Sequence, residues 1–306
     1  MNDPTRGLRR RAAAAGDALA RAGLSRPIEA PHRTVRALLS GDRDPDLSGK
    51  LVVVTGASSG IGEATAHRFA SAGATVVIVA RRLPELQRVA DAIAAAGGEA
   101  IAMQGDVSDT DQMTALGQEI VAEHGPVAVL INNAGRSIRR SITESYDRLH
   151  DFERTMAVNY FGPVALSLAI LPSMVEAGSG RVVNVSTWGT RIPSPLFAAY
   201  TASKAAIDAF GRSASADLSG TGVTVASVHM PLVRTPMIAP AQKDYRGVPS
   251  LSADEAAGLI FRAAAGKSAR VEPAFVTAVA IGDAVAGPVV ERVVGKDAVN
   301  AMGKQG

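Results

Sequence analysis

Between residues 51 and 230 the chain alternates two kinds of segment. Short uninterrupted apolar runs, rich in Val and Ile, occur as KLVVVTG, ATVVIVARR, EAIAMQGDV, VAVLINNAG, GRVVNVS and GVTVASVHM. Between them lie longer segments such as GEATAHRFASAG, LPELQRVADAIAAAGG and TDQMTALGQEIVAEHG, whose apolar residues recur at helical spacing. A strand wetted on one face would alternate apolar and polar residues. Continuous runs instead predict strands covered on both faces. Such strands linked by helices form a parallel sheet, and right-handed crossovers put helices on both of its faces. The expected fold class is therefore α/β, a doubly wound parallel sheet in a single main domain. We place that domain at residues 47–250, after the turn-rich stretch SGDRDPDLSGK. Residues 251–306 read as a mostly helical segment that completes it, with a late strand near EPAFVTAV. Residues 1–46 read as a basic, Ala- and Arg-rich extension.

Composition narrows the chemistry. The 306 residues include no cysteine, which excludes disulfides and thiolate metal sites. No metal is expected, and a reducing, cytoplasmic location suits the chain. The net charge of +3 is unevenly placed: residues 1–50 hold ten Lys/Arg against six Asp/Glu, and the rest hold 22 against 23. The body thus lacks the excess positive charge that a phosphate backbone would require, and nucleic acid is not an expected partner. No apolar run reaches the ~18 residues of a membrane span. The leader RGLRRRAAAAGDALARAGL has no apolar signal-peptide core. Its first reading is a helix that packs on the body or on an oligomer neighbour. Peripheral membrane contact and a transit peptide are the alternatives.

The first apolar run ends in TGASSGIG, with Gly56, Gly60 and Gly62 spaced around Ser58, Ser59 and Ile61. A chain that must turn sharply, let its backbone approach a pyrophosphate and open a helix there needs glycine. The second run ends in VIVARR. Ala80 stands where an NAD-preferring site places a carboxylate, and Arg81 and Arg82 follow. A guanidinium there suits a 2′-phosphate, so NADP(H) is the expected cofactor. Asp106 and Val107 in GDVSD are candidates for the adenine. In NNAG, Asn132 and Asn133 can pin neighbouring strands, while Ala134 and Gly135 let the backbone pass close to a cofactor.

TGASSGIG, NNAG, the Asn of MAVNYFG, and YTASK after VVNVST, in that order, resemble the short-chain dehydrogenase/reductase family over roughly residues 48–240. The resemblance implies a Rossmann-type fold, a nicotinamide cofactor, and hydride exchange with a small carbonyl or alcohol. It also implies homodimers or homotetramers built on the helices that begin near FERTMAVNYFG and AYTASK. It makes Tyr200 the proton donor or acceptor, with Lys204 one helical turn away. A phenol with a reference pKa near ~10 is a poor base at neutral pH, and a neighbouring ammonium lowers it. By the same resemblance Lys204 orients the ribose and Asn159 holds a water that links it to solvent. The hydroxyl on the substrate oxygen is Thr187 or Ser186, depending on whether the tyrosine or Gly189 anchors the count. Trp188 beside them either lines the cleft or caps the core. In MPLVRTPM, Pro231, Val233 and Thr235 match the carboxamide-binding loop, although Leu232 stands where glycine is common. His229 reads as a core residue. ESYDRLHDFERTMAVNYFG, PLFAAYTASKAAIDAF and HMPLVRTPMIAP are similar to a bacterial, actinobacterial-type subgroup linked to fatty acyl-CoA and fatty aldehyde reduction. That implies an apolar, lipid-like aldehyde or ketone, with PMIAPAQKDYRGVPSL as the substrate lid. A 3-oxoacyl or steroid reductase is the alternative enzyme, and a non-catalytic NADP-binding scaffold the alternative of another class.

Overall fold

Seven strands lie parallel in the order β3-β2-β1-β4-β5-β6-β7. They are β1 (Leu51–Thr55), β2 (Thr75–Ala80), β3 (Glu99–Gln104), β4 (Val127–Asn132), β5 (Gly180–Thr187), β6 (Val223–Met230) and β7 (Arg270–Val271). The helices are α1 (Gly60–Ser71), α2 (Leu83–Ala95), α3 (Thr110–His124), α4 (Leu149–Met156), α5 (Gly162–Glu176), α6 (Ala198–Asp217) and α7 (Ala253–Ala265). The computed structural model describes residues 47–238, 250–266, 268–273, 276–277, 280–284 and 287. The extension at 1–46, residues 239–249 of the expected lid and residues 288–306 of the tail lie outside the described residues.

The six apolar runs become β1 to β6; β1 is buried along its whole length, and β2, β4, β5 and β6 at all but one residue each. Each fully buried Val, Leu or Ile contributes roughly 1.5–3 kcal/mol, which is why these runs end up between two helical layers. On one face, Leu130, Val182 and Val225 pack with Met113, Leu116 and Ile120 of α3 and Leu166, Ile170 and Met174 of α5. On the other face α1 packs on α7, where the Phe69 and Phe261 rings meet at 5.0 Å. The seventh strand falls at Arg270–Val271, just before the expected EPAFVTAV; within that stretch Val276 and Thr277 are helical.

α4 and α5 form one helix, Leu149–Glu176, joined by a π-helical segment, Ala157–Phe161. Among the described residues it is the helix long and apolar enough to cross a membrane. Here it lies against the sheet instead, with Leu166, Ile170 and Met174 in the core and Ser167 bonded to Asn132 of β4. The strand order reverses at β1, between β2 and β4. Ligands of doubly wound sheets bind in the crevice at the C-terminal strand ends beside this point.

Candidate active site

At that crevice β1 ends in Thr55, whose hydroxyl ties two loops together. Its Oγ1 accepts from the N–H groups of Asn133 (3.0 Å) and Ala134 (3.1 Å) and donates to the Ile131 carbonyl (3.3 Å). The Asn133 amide in turn donates to the Thr55 carbonyl at 2.9 Å. Asn132 faces the other way and donates to Asn184 Oδ1 (3.0 Å) and Ser167 (3.1 Å), which pins β4 to β5 and to α5. The chain then turns with φ of 67° at Gly56 and 60° at Gly60. A Cβ on Gly62 would lie 2.2 Å from the Gly56 carbonyl oxygen, so the fold itself demands that glycine. At Gly60 the nearest atoms are those of Thr235, at 3.3 Å, which brings the loop after β6 to the glycine turn. Ser59 precedes α1 in an extended conformation, and its side chain makes no capping hydrogen bond. The first N–H groups of α1 are therefore without a side-chain cap from Ser59, and a helix N-terminus favours an anionic group there. Ser58 holds the next layer through its carbonyl, which accepts from Arg88 at 3.3 Å. Ile61 is half-buried in the first turn of α1.

Arg81 and Arg82 are exposed at the end of β2, and the Arg81 carbonyl accepts from Gln104 at 2.8 Å. Across from them, Asp106 Oδ1 accepts from the N–H (2.9 Å) and hydroxyl (2.7 Å) of Ser108. Burial works to raise the Asp106 pKa, but the Ser108 hydrogen bonds and the Arg81 charge hold it below the ordinary value. Val107 is buried, and its carbonyl abuts Gly162 at the start of α5, where a Cβ would lie 1.7 Å from the oxygen. The motif reading missed Gly162 as a site residue. It stands three positions after Asn159, inside the quoted MAVNYFG, which was the available signal.

The reacting end gathers on α6. Tyr200 is half-buried, with its ring edge-on to Phe197 at 6.4 Å. Lys204, one turn on, is 4% exposed and donates from Nζ to the Val185 carbonyl at 2.7 Å. Burial pushes the Lys204 ammonium down to about 8, against the opposing pull of Asp208. A Cβ built on Gly135 would be 3.5 Å from Asn159 Oδ1 and 3.6 Å from Lys204 Nζ, so all three meet at one point. Asn159 sits in the π-helical segment and is buried. Its Oδ1 accepts from the Arg136 N–H (2.8 Å), while its amide donates to the Arg136 carbonyl (2.9 Å) and to Ser203 (2.8 Å). Both amide hydrogens are thus engaged within the protein. What remains for a water is a lone pair on Oδ1.

Ser186 and Thr187 end β5 on opposite sides, as successive strand residues do. The Ser186 hydroxyl donates to Asp208 Oδ2 at 2.9 Å in the interior, which removes it from the cleft. Thr187 Oγ1 accepts from the Gly189 N–H at 3.2 Å, a bond that leaves the hydroxyl proton available. Trp188 opens the following 3-10 turn and is half-buried, outside the fully buried core. After β6, Pro231 and Val233 are buried, and Val233 bridges to Leu251. Leu232 has an ordinary negative φ; among the described non-glycine residues the positive φ belongs to Leu196, at 71°. A leucine in place of the common glycine is therefore compatible with this loop. His229 is buried, as expected, but it contacts Asp208 at 3.1 Å rather than apolar neighbours alone. Among the described residues no group of His, Asp and Glu is arranged to hold a metal.

Comparison with known proteins agrees with this geometry. The family model described as short chain dehydrogenase matches residues 50–246. A fatty acyl-CoA reductase of Acinetobacter baylyi is 48% identical over 226 residues, which cover 74% of this chain and 76% of that protein. The crystal structure of a metagenomic short-chain oxidoreductase in complex with NADP superposes with a TM-score of 0.65 at 33% identity, covering 75% of this chain and 99% of that one. A short chain dehydrogenase/reductase of Burkholderia phymatum, in complex with NAD, gives 0.71 at 26% identity, covering 77% and 93%. With the glycine turn, the NNAG loop and the Tyr200–Lys204 helix assembled at one crevice, the chain belongs to the short-chain dehydrogenase family of oxidoreductases.

Proposed function

We propose that this protein is an NADP(H)-dependent reductase of apolar, lipid-like aldehydes or ketones, with Tyr200 as the group that moves the proton. The observation that carries this reading is Lys204. An ammonium withdrawn from water costs a fold several kcal/mol, so its place one turn from a phenol calls for a chemical reason. A nicotinamide cofactor held at the crevice would supply hydride to a carbonyl carbon. Gly56, Ser58, Ser59, Gly60, Ile61 and Gly62 would hold its pyrophosphate, Arg81 and Arg82 the 2′-phosphate, and Asp106 and Val107 the adenine. Asn133, Ala134 and Gly135 would flank it, and Pro231, Val233 and Thr235 would hold the carboxamide. Tyr200 gives its proton to the carbonyl oxygen in reduction and takes it back in oxidation. Thr187 hydrogen-bonds that oxygen. Lys204 lowers the Tyr200 pKa through its charge and orients the ribose, while Asn159 fixes the backbone at Arg136 below it. Ser186, engaged with Asp208, has no part in this scheme. The Arg pair supports NADP(H) over NAD, and the fatty acyl-CoA reductase relative supports a lipid substrate.

The family resemblance and an exposed apolar face on α5 support a homodimer or homotetramer. Leu168 and Val175 on that face are 59% and 40% exposed, and Phe161, at the end of the π-helical segment, is 51% exposed.

Oxidation of NADPH and of NADH, followed against medium- and long-chain aldehydes, ketones and acyl thioesters, tests the reading. The expected result is turnover of the apolar carbonyls with NADPH. Tyr200→Phe should lower kcat by roughly 10²–10⁴-fold while NADPH still binds. Activity confined to small polar sugars would overturn the lipid assignment. Cofactor binding with no turnover on any carbonyl would favour the scaffold.

A further inference from the structure

The strand that ends in Thr187 and the helix that carries Tyr200 are joined by WGTRIPSPLF, residues 188–197. Its last four residues, Ser194 to Phe197, form a tight turn, closed by the Phe197 N–H donating to the Ser194 carbonyl at 3.2 Å. Pro195 takes the second position and Leu196 the third, with a φ of 71°. Proline followed by a positive φ marks a type II turn, whose third position ordinarily holds glycine or asparagine. In left-handed backbone a Cβ crowds the following carbonyl oxygen, so a leucine stays there only where its surroundings hold it. The restraint comes from the segment after NNAG. The Arg140 N–H donates to the Leu196 carbonyl at 2.7 Å. The Arg140 side chain is itself tied down, with Nε donating to Asp151 Oδ2 at 3.1 Å, and Asp151 is buried in the first turn of α4. On the other side of the turn, the Phe197 carbonyl accepts from the N–H (2.8 Å) and the hydroxyl (3.0 Å) of Thr201, which fixes where α6 begins. The Phe197 ring meets the Tyr200 ring edge-on with centroids 6.4 Å apart, within the range of a favourable aromatic pair. Every link from Asp151 to the phenol is therefore a direct contact.

We propose that Leu196 is a positioning residue for proton transfer: its left-handed backbone, held by the Arg140 N–H, seats the Phe197 ring against Tyr200 and so aims the phenol. The proposal rests on the reading of Tyr200 as the group that moves the proton. Strained residues gather where a geometry must be held for chemistry, and this one stands four positions before that phenol. Were the turn to relax to a negative φ, the peptide after Leu196 would rotate. The carbonyl would leave the Arg140 N–H, and the Phe197 ring would leave the phenol.

Two substitutions separate backbone from side chain, with rates measured on NADPH and the fastest carbonyl of the panel above. Asparagine is polar but tolerates a positive φ. Valine is apolar like leucine, but its branched Cβ makes a positive φ unfavourable. Leu196→Asn is expected to keep kcat within about twofold of the wild type. Leu196→Val is expected to lower kcat by roughly 10–100-fold, since a misplacement near ~1 Å suffices for a loss of that order. Both should bind NADPH as the wild type does in a fluorescence titration, which shows that fold and cofactor crevice are intact. A side chain needed only for packing gives the opposite order, with valine active and asparagine impaired. That order, or equal rates in the two variants, overturns the proposal. Phe197→Leu keeps the turn and removes the ring. It is expected to lower kcat by about tenfold and to raise the solvent deuterium isotope effect on kcat, because proton transfer becomes the slow step. An unchanged kcat and isotope effect overturns the proposal, even where Leu196→Val does not fold. Tyr200→Phe separates the two levels: turnover that survives it sinks the proposed function, whereas the wrong order at position 196 in an enzyme that needs Tyr200 sinks this inference alone.

Discussion

Lys204 shows how the site trades stability for chemistry. Its folded pKa of about 8 lies below the ordinary 10.5. Below about 8 both folded and unfolded chains hold the proton, and the buried cation costs the fold on the order of 3 kcal/mol. Between about 8 and 10.5 the folded chain releases the proton first, so the cost fades as pH rises and is absent above that window. Lys204→Met is therefore expected to stabilise the protein by about 2 kcal/mol near neutral pH, the Val185 carbonyl left without its donor offsetting the rest. Turnover should be lost, and the gain should vanish above pH 10.5. Denaturant titrations at the two ends of this range check the sign. At this scale the sequence is readable where the chemistry dictates spacing, as for Tyr200 and Lys204 one turn apart on a helix. It is silent on Ser186 against Thr187. Both are small hydroxyl residues, and the side each faces depends on Asp208, 22 positions away from Ser186.

Among the elements, the helix that follows Asn159 is placed by one missing methyl group. A Cβ on Gly162 would overlap the Val107 carbonyl at 1.7 Å, so one of the two backbones would have to shift. Gly162→Ala is expected to destabilise the fold by about 3 kcal/mol and to weaken NADPH binding, because Asp106 and Val107 move with the displaced loop. A urea melt and a cofactor titration on the same variant check both effects. Most of the long strands are readable because each is a near-continuous apolar run buried on both faces; β3, at the sheet edge, is partly exposed. β7 is not readable, since two residues, Arg270 and Val271, are too short to carry a pattern. Val276 and Thr277, which favour strands by their branching, are helical instead. Gly162 escapes detection for a related reason: its neighbour belongs to a loop more than fifty residues earlier, and no local rule reveals a close approach.

At the scale of the whole molecule, α5 serves two surfaces. Its inner side carries Leu166, Ile170 and Met174 into the core, and its outer side leaves Leu168 59% exposed. If that outer side pairs with a second copy, Leu168→Glu is expected to yield monomers by analytical ultracentrifugation, with helical content unchanged by circular dichroism. The π-helical segment that precedes α5 adds a consequence of its own. A turn closed by i→i+5 bonds is wider than an α turn, so it resets the rotational phase of whatever follows. The segment itself aims Asn159 at the crevice, and the half-helix after it aims a separate stripe of side chains at the sheet. Deleting one residue there would let the α-helix run on uninterrupted and would cost Asn159 its place against the Arg136 backbone. Catalytic aim and foundation are thus geared through a single loosened coil, and mutations that refine one can accumulate without misaligning the other.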